Sequence, residues 1–138
     1  MDRDLVIFPL GEDRYALTTD RVRQVVVTPA VTSIPTAPPS ILGVFNLRGE
    51  IVPLVDLSLL LGLPAATPRA GVTHAVVVET PSGPAGLAVT DMPRFGHLGP
   101  QMGASELPGT SGLYSVDDEL AVLLDADILL SPTRVETS

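Results

Sequence analysis

Short apolar runs, separated by glycine, proline and polar residues, recur along the whole chain. The runs are rich in valine, isoleucine and leucine, and runs this short favour strands over helices. They predict strands over 5–10, 15–19, 22–28, 43–48, 51–56, 74–80, 85–91, 112–116 and 120–125, with short helices over 57–61 and 126–130. Many short strands between frequent turns are typical of β-barrels and sandwiches. The stretch 93–112 is too rich in glycine and proline for an assignment.

Each predicted helix directly follows an aspartate, Asp56 in one case and Asp125 in the other. An aspartate in this position can accept hydrogen bonds from the free amides of the first turn, so we expect both to be N-caps. Two carboxylates could also act as a catalytic acid and base, but their positions before helices favour capping. Gly62 follows the first helix, as a C-terminal stop requires.

Prolines interrupt the pattern at three places. Pro53 lies inside a predicted strand and lacks the N–H that a central strand needs, so we expect this strand at a sheet edge or with a bulge. The stretch 29–40 predicts a loop that Ile34 can anchor. The stretch 64–71 predicts a mobile connector.

The second half of the chain repeats the first after 69 residues. Residues 43–61 align without a gap over 112–130, and a weaker match places 19–23 over 90–94. Glycine, aromatic, acidic and leucine positions coincide: Gly43 with Gly112, Phe45 with Tyr114, Glu50 with Glu119, Leu54 with Leu123 and Asp56 with Asp125. The repeat predicts two similar β units, each ending in an Asp-capped helix. Each unit is too small to be very stable alone, so we expect the two to pack together.

The two copies differ at one turn, which reads NLRG at 46–49 and SVDD at 115–118. Arg48 is therefore not required by the repeated architecture. It has two interpretations: a surface arginine, free or paired with Glu50 or Asp56, or an exposed cation at a groove, presented by a tight turn that Gly49 permits. Arginine is enriched at binding hot spots because its planar guanidinium can both pair and stack.

Composition excludes several classes of function. The 138 residues suffice for one domain with a real core. The net charge is −8, without a lysine, so clustered cations for nucleic acid or an anionic membrane are missing. The chain has no cysteine, which excludes disulfides and thiolate metal sites. No apolar run is long enough for a signal peptide or a membrane span. We therefore expect a soluble cytoplasmic protein without direct membrane insertion.

Catalytic signals are weak. His74 and His97 are isolated and lie outside any metal-binding spacing. Ser82 lies in a hairpin turn without the glycine pattern of a nucleophile elbow. The acidic residues 117–119 lack the spacing of a calcium loop and favour a solvated turn. The sequence thus predicts no enzyme, no catalytic residue, no metal site and no cofactor.

The segment 34–63, IPTAPPSILGVFNLRGEIVPLVDLSLLLGL, resembles the signature region of the CheW family, the bacterial chemotaxis coupling proteins. The family pattern is an apolar residue, Pro, two small residues and Pro, then Gly-Val-x-Asn-Leu-Arg-Gly, then an apolar strand that ends in Asp-Leu. Every one of these positions is matched between Ile34 and Leu57. A looser likeness extends over essentially the whole chain.

The resemblance implies an all-β fold of two five-stranded SH3-like β-barrels packed around a shared core, with short capping helices. Residues 1–138 then form one CheW-like domain. We expect a first barrel that includes 15–63 and a second that includes 74–124, and terminal segments can be exchanged between them.

The resemblance also implies a role as a non-enzymatic adaptor. Family members link the histidine kinase CheA, through its CheW-like regulatory domain, to the cytoplasmic tips of methyl-accepting chemoreceptors. This implies recruitment of the protein to membrane-associated receptor arrays. Receptor tips are helical hairpins, so docking would place a helix in an apolar groove. The positions that match the family's binding region are Val22, Gln24, Val44, Asn46, Arg48 and Gly49.

Two departures from the family pattern leave the pathway open. Gln24 stands where the family often has glutamate, which can alter receptor choice. Pro93, next to Met92, is unusual in what should be a strand. One alternative is a CheW-like adaptor of another pathway, such as pilus-driven surface motility or development. A weaker alternative is a small-ligand-binding protein that uses the groove between the barrels.

Overall fold

A computed structural model of the chain describes residues 4–28, 30–63, 71–131 and 135. These residues form ten strands and two short α-helices. The strands are β1 (Asp4–Leu10), β2 (Asp13–Thr18), β3 (Val22–Val27), β4 (Ile41–Leu47), β5 (Glu50–Val55), β6 (His74–Thr80), β7 (Gly83–Val89), β8 (Arg94–Gly103), β9 (Thr110–Val116) and β10 (Glu119–Leu124). The helices are α1 (Leu57–Leu61) and α2 (Ala126–Leu129). The predicted all-β fold with two five-stranded units and capping helices is confirmed.

The ten strands form two five-stranded sheets with the same topology. One sheet closes into a barrel with the order β1-β2-β10-β9-β8, and the second sheet has the order β3-β6-β7-β5-β4. In each sheet one parallel contact joins two antiparallel parts, β2 with β10 in the barrel and β5 with β7 in the second sheet. The two sheets are thus built to one plan from the two sequence repeats.

Each sheet combines strands from both repeats. The hairpin β1–β2 leaves its own repeat to join β8–β10, and the hairpin β6–β7 joins β3–β5 in return. The expected division of the chain is therefore wrong in two places. Residues 15–18 belong to the barrel with β8–β10, and residues 74–89 belong to the second sheet. The anticipated exchange of terminal segments is instead a reciprocal exchange of the leading hairpin of each repeat.

The two exchanged hairpins are buried on both faces. On β1, Leu5 and Ile7 point into the barrel, whereas Val6, Phe8 and Leu10 pack between the two sheets. On β6, alternation is the same: Ala75 and Val77 lie inside the second sheet, and Val76 and Val78 lie between the sheets. The helices α1 and α2 add Leu57, Leu60, Leu61, Ala126 and Leu129 to this shared core. Burial on both faces explains the nearly continuous apolar runs of these strands.

The sequence repeat is reproduced in the backbone. The turns at Arg48–Gly49 and Asp117–Asp118 all have left-handed backbone angles, with φ of 52° and 90° in one copy and 47° and 68° in the other. Asp56 accepts hydrogen bonds from the amides of Ser58 (3.0 Å) and Leu59 (3.4 Å). Asp125 accepts one from the amide of Ile128 (3.3 Å). The predicted N-caps are confirmed, and Gly62 ends α1 in a left-handed conformation, as expected.

Pro53 does not mark an edge strand, because β5 lies between β4 and β7. Pro53 pairs with Val44, whose N–H and C=O both bind Thr32 on the other side (2.8 Å each). The Val44–Pro53 pair is therefore a non-hydrogen-bonded position of the ladder, where no N–H is needed towards β4. On the other side of β5, the parallel pairs with β7 begin only at Leu54. The edge expectation was wrong, because the pairing position and not the strand location makes room for this proline. The ladder does contain a register shift, but it lies on β4 between Ile41 and Gly43, opposite Leu54 and Val55, and not at Pro53.

The two sheets are closed to different degrees. In the barrel, β8 and β9 pair at Leu98–Val116, Gln101–Tyr114 and Gly103–Leu113. In the second sheet, the corresponding strands β3 and β4 share no ladder, and one isolated bridge joins Thr32 to Val44. Val44 is the repeat counterpart of Leu113, so this bridge matches the last of the three barrel pairs. The seam next to β3 is otherwise unpaired in the described residues.

Three further expectations concern the stretch 93–112, the position of Ile34 and the connector at 64–71. The unassigned stretch 93–112 contains β8, a ten-residue strand whose glycines and proline concealed it. Ile34 does not anchor its loop, because its side chain is 45% exposed. The connector predicted at 64–71 lies outside the described residues, apart from Gly71. No helix among the described residues is long and apolar enough to cross a membrane.

The hairpin exchange predicts that the repeats fold only together. Fragments 1–66 and 67–138, produced separately, should each be unfolded, because each lacks the strands that complete its sheets. Mixed at equal concentration, they should assemble into a complex with the circular dichroism spectrum and cooperative melting of the intact chain. Titration of one fragment into the other measures this assembly. A fragment that melts cooperatively alone would contradict the exchange.

Candidate functional site

The turn that carries Arg48 is a tight two-residue hairpin between β4 and β5. Leu47 pairs with Glu50, which leaves Arg48 and Gly49 as the two turn residues. Both have positive φ, the geometry of a type I′ turn, which matches the twist of the flanking strands. The side-chain oxygen of Asn46 accepts a hydrogen bond from the amide of Gly49 (2.9 Å) and fixes the turn. Arginine is uncommon in this conformation, so the fold holds a long cationic side chain where glycine, asparagine or aspartate is usual.

Arg48 is exposed, and it differs from the other arginines that the structure describes. Arg14 pairs with Glu119, Arg21 with Asp127, Arg23 with Glu50 and Glu79, and Arg94 with Glu119. Arg48 forms no ion pair or side-chain hydrogen bond with any other described residue. The acids considered as its partners are engaged elsewhere, since Glu50 binds Arg23 and Asp56 is the buried cap of α1. Its guanidinium is therefore available to a partner molecule.

Each of the two turns is tied to a neighbouring strand by an ion pair. Arg23 on β3 donates to Glu50 at the start of β5 (2.7 Å), and Arg94 on β8 donates to Glu119 at the start of β10 (3.0 Å). Glu50 and Glu119 coincide in the sequence repeat. The hydrogen bond from Arg23 lowers the pKa of Glu50 and raises that of Arg23 itself. Both side chains are exposed, so this pair positions the turn more than it stabilises the fold.

A groove of about 430 Å³ runs between β3 and the start of β8, where the two sheets meet. From β3 it is lined by Val22, Arg23, Gln24, Val25 and Val27, and from the β8 side by Met92, Pro93, Arg94 and Phe95. The three most exposed large apolar side chains of the described residues, Phe95 (77%), Val27 (73%) and Met92 (67%), all lie on it. None of its described lining residues is acidic, although the chain has 16 acidic residues. Such a patch of exposed apolar surface with cationic side chains is suited to binding a protein.

The structure distributes the six predicted site residues over three places. Val22 and Gln24 line the groove. Asn46, Arg48 and Gly49 form the β4–β5 turn, which the Arg23–Glu50 pair connects to the groove wall. Val44 lies on β4, where its backbone bonds with Thr32 form the isolated bridge at the seam of the second sheet. Val44 therefore has a structural task, and the other five residues belong to the groove and the turn beside it.

The β8 wall of the groove was missed by the sequence reasoning. Met92 and Pro93 were noted only as departures from a family pattern, and Phe95 was not singled out. The signal was present in the weak repeat match between 19–23 and 90–94, which aligns β3 with the start of β8. A residue on the β8 wall is about seventy positions from its β3 neighbour, so local periodicity could not show that they share a groove.

Other parts of the described structure show little that resembles a catalytic centre. His74 contacts the hydroxyl of Thr73 (2.8 Å), and His97 contacts Asp4 (2.9 Å) on the surface. Among the described residues, no three His, Cys, Asp or Glu side chains converge in a way that could hold a metal ion. Burial, together with the nearby charge of Asp13, raises the pKa of Tyr15. Its hydroxyl is buried in the core.

Comparisons of sequence and of structure relate the chain to the same group of known proteins. A family model, the CheW-like domain, matches residues 4–133. A curated protein of Rhizobium etli, "Probable chemotaxis protein CheW", is 28% identical over 146 aligned positions that cover 99% of this chain and 93% of its own length. "Chemotaxis protein CheW" of Rhizobium meliloti is 38% identical over 76 positions, which cover 55% of this chain and 48% of that protein.

The fold is also similar to that of a solved structure. The crystal structure of scaffolding protein TtCheW from Thermoanaerobacter tengcongensis has a TM-score of 0.78 and 26% identity to the chain. The match covers 95% of this chain and 89% of the other. The two-sheet architecture, with its exchanged hairpins, therefore has a close relative of known structure.

The pairing of Arg23 with Glu50 predicts a measurable shift in titration. In the folded protein the pKa of Glu50 lies below its ordinary 4.5 because Arg23 stabilises the carboxylate. The contribution of the pair to stability is then present above about pH 4.5 and is lost as the pH falls through the folded pKa. In Arg23→Gln the pKa of Glu50 should rise towards 4.5, as measured by NMR titration of the side-chain carboxyl carbon. Arg14→Gln, which removes a partner of Glu119 instead, should leave the pKa of Glu50 unchanged. Equal shifts of this pKa in both variants would contradict the pairing of Arg23 with Glu50.

Proposed function

Since the chain belongs to the CheW-like domain family, we propose that it is a non-enzymatic adaptor that couples chemoreceptors to the histidine kinase of a chemotaxis pathway. The observation that carries this proposal is the unpaired, exposed Arg48, held on a tight turn beside an apolar groove. The groove and the turn together offer what a docking surface needs: exposed apolar area and a cation without an internal partner.

The receptor side of this adaptor is the groove with the Arg48 turn. A receptor tip is a helical hairpin, and a helix can place an apolar ridge against Val27, Met92 and Phe95 while a carboxylate on its flank reaches Arg48. Contacts of this size give modest affinity, on the order of micromolar, which corresponds to about 8 kcal/mol. In an array, many such contacts act together and multivalency raises the effective strength. Recruitment of this protein to membrane-associated arrays follows from such binding.

The kinase side is a CheW-like regulatory domain of CheA, which shares this fold. We expect the kinase to bind a surface outside the groove, so that kinase and receptor can be held at the same time. Among the alternatives, a pilus or developmental pathway has no specific support, since the named relatives are chemotaxis proteins. A small-ligand-binding role has no support from the named relatives either.

Binding of the kinase domain is the direct test of the adaptor function. Immobilised protein should capture the regulatory domain of the CheA encoded in the same genome, with a dissociation constant in the micromolar range. Isothermal titration calorimetry measures the affinity. The absence of detectable binding at high micromolar concentration would contradict the proposal.

Replacement of Arg48 should separate receptor binding from folding. Arg48→Asp should weaken binding of a receptor-tip fragment by roughly tenfold or more, because a carboxylate then faces the acidic flank of the helix. The melting temperature should not fall, since Asp117 has the same backbone conformation in the second repeat. Arg14→Asp makes the same change of charge on β2 of the barrel and should leave receptor binding near the wild-type value. If Arg48→Asp unfolds the protein, Arg48 is structural and its role in docking is refuted.

A further inference from the structure

One methionine lies on the groove, and methionines hold all the sulfur of this chain. The sequence has three methionines and no cysteine, so any oxidation of sulfur in this protein takes place on a methionine. The structure describes Met92 and Met102, which are 67% and 60% exposed. Met92 lines the groove together with Val27 and Phe95, whereas Met102 lies near the far end of β8 and is not among the described lining residues. An oxidant in solution can therefore reach a methionine on the proposed docking surface.

The repeated architecture does not require a methionine at position 92. The weak repeat match places Met92 over Arg21, which pairs with Asp127 on α2 and so has a contact within the fold. The backbone at Met92 is restrained on both sides. Its amide donates a hydrogen bond to a side-chain oxygen of Asp91 (2.7 Å), and Pro93 disfavours a helical conformation at the residue before it. These restraints keep the thioether side chain on the groove wall.

Met92 lies between two surroundings of different polarity. On one side is the mainly apolar groove, which suits a thioether because this group is apolar and polarizable. On the other side is a hollow of about 340 Å³, whose lining includes the charged residues Arg14, Asp91, Arg94 and Glu119. A sulfoxide oxygen is a polar acceptor, and the guanidinium groups of Arg14 and Arg94 are donors. Oxidation of Met92 therefore favours the hollow over the groove for this side chain.

We propose that Met92 is a modification site at which peroxide controls docking in the groove. The inference rests on the proposed function, since it names a regulation of the receptor site. In the reaction the thioether sulfur attacks an oxygen atom of hydrogen peroxide, a sulfur–oxygen bond forms and the O–O bond breaks. The leaving hydroxide takes the proton of the transferred oxygen and becomes water. The sulfur is oxidised to the sulfoxide, the peroxide is reduced, and methionine sulfoxide reductases can restore the thioether.

The sulfoxide should act against helix binding because it is polar. A helix that covers the groove with an apolar ridge removes water from the sulfoxide oxygen, so oxidation should weaken receptor binding about tenfold. The two events also exclude each other in the opposite sense. A bound helix covers the Met92 sulfur, so it should slow the attack on peroxide.

Peroxide treatment of the full-length protein tests the effect on binding. Mass spectrometry of proteolytic peptides follows the sulfoxide at each methionine. Calorimetric titration measures the affinity for a helical-hairpin tip fragment of a chemoreceptor encoded in the same genome. The affinity should fall about tenfold as Met92 is oxidised, and treatment with a methionine sulfoxide reductase should restore it. The melting temperature should not change, because this side chain is exposed. An unchanged affinity after full oxidation of Met92 overturns the proposal.

The two methionines allow matched variants. Met92→Leu keeps an apolar side chain of similar volume without a sulfur, so its receptor affinity should be that of the untreated protein both before and after peroxide. Met102→Leu removes a sulfur of similar exposure outside the groove and should stay as sensitive to peroxide as the wild type. Met92→Gln places a polar group on the groove and should bind about tenfold more weakly without any peroxide, unlike Met102→Gln. If Met92→Leu still loses affinity after peroxide, another residue is responsible and the proposal is overturned.

Protection by the bound receptor fragment supplies a second measurement. At a saturating concentration of the fragment, oxidation of Met92 should slow severalfold, whereas that of Met102 should keep its rate. Because both rates come from the same digest, a general loss of peroxide is recognised by its equal effect on the two residues. A rate at Met92 that the fragment does not change places this side chain outside the contact and overturns the proposal.

Failure of this inference can be told apart from failure of the adaptor function. If the untreated protein binds the kinase domain and the receptor fragment, but oxidation of Met92 leaves the receptor affinity unchanged, the modification site is refuted and the adaptor function stands. If the untreated protein does not bind the receptor fragment, the receptor side of the adaptor function is refuted together with the inference that rests on it.

Discussion

The structure depends on two hairpins that are each buried on both faces. β1–β2 and β6–β7 lie back to back at the centre of the molecule, and their outer faces fill the interiors of the two sheets. Each hairpin belongs in sequence to one repeat and in space to the strands of the other. Side chains such as Phe8 and Val76 therefore connect both sheets in one core, and neither sheet can lose its hairpin without exposing the centre. The single domain is a consequence of this exchange.

The same exchange fixes where function can reside. The shared core uses the helices, the caps and the central hairpins of both repeats, and these parts are nearly equivalent in the two copies. What remains free to differ is at the periphery, in the hairpin turns and the walls of the groove. At one such position the second repeat holds Asp117, a residue suited to a left-handed turn, and the first holds Arg48, which is less suited to it. The proposed docking role would account for an arginine at a position that does not suit its conformational preference and gives it no partner among the described residues.

Sequence reasoning recovered the local parts of the fold more fully than the long-range parts. The strands, the two aspartate caps and the Arg48 turn each depend on a few neighbouring residues, so composition and spacing were sufficient. Residues 74–89 were assigned to the wrong sheet, because an apolar run that is buried on both faces does not indicate which strands it pairs with. β8 was missed because its glycines and proline resemble a loop. The six site residues came from resemblance to a family, and the wall at Met92 and Phe95 depended on contacts between distant segments.

The unequal closure of the two sheets has a consequence for motion. β8 and β9 complete a barrel in which every strand has two neighbours. In the described residues β3 and β4 share no ladder, and an isolated bridge joins Val44 to Thr32, which follows β3. Local opening of this bridge breaks two backbone hydrogen bonds and leaves the ladders of the second sheet in place. We therefore expect amide hydrogens along this seam to exchange with solvent through small local openings. Amide hydrogens of the barrel should exchange only through a larger opening. We therefore expect the half of the molecule that carries Arg48 to open locally at a lower free-energy cost than the closed barrel.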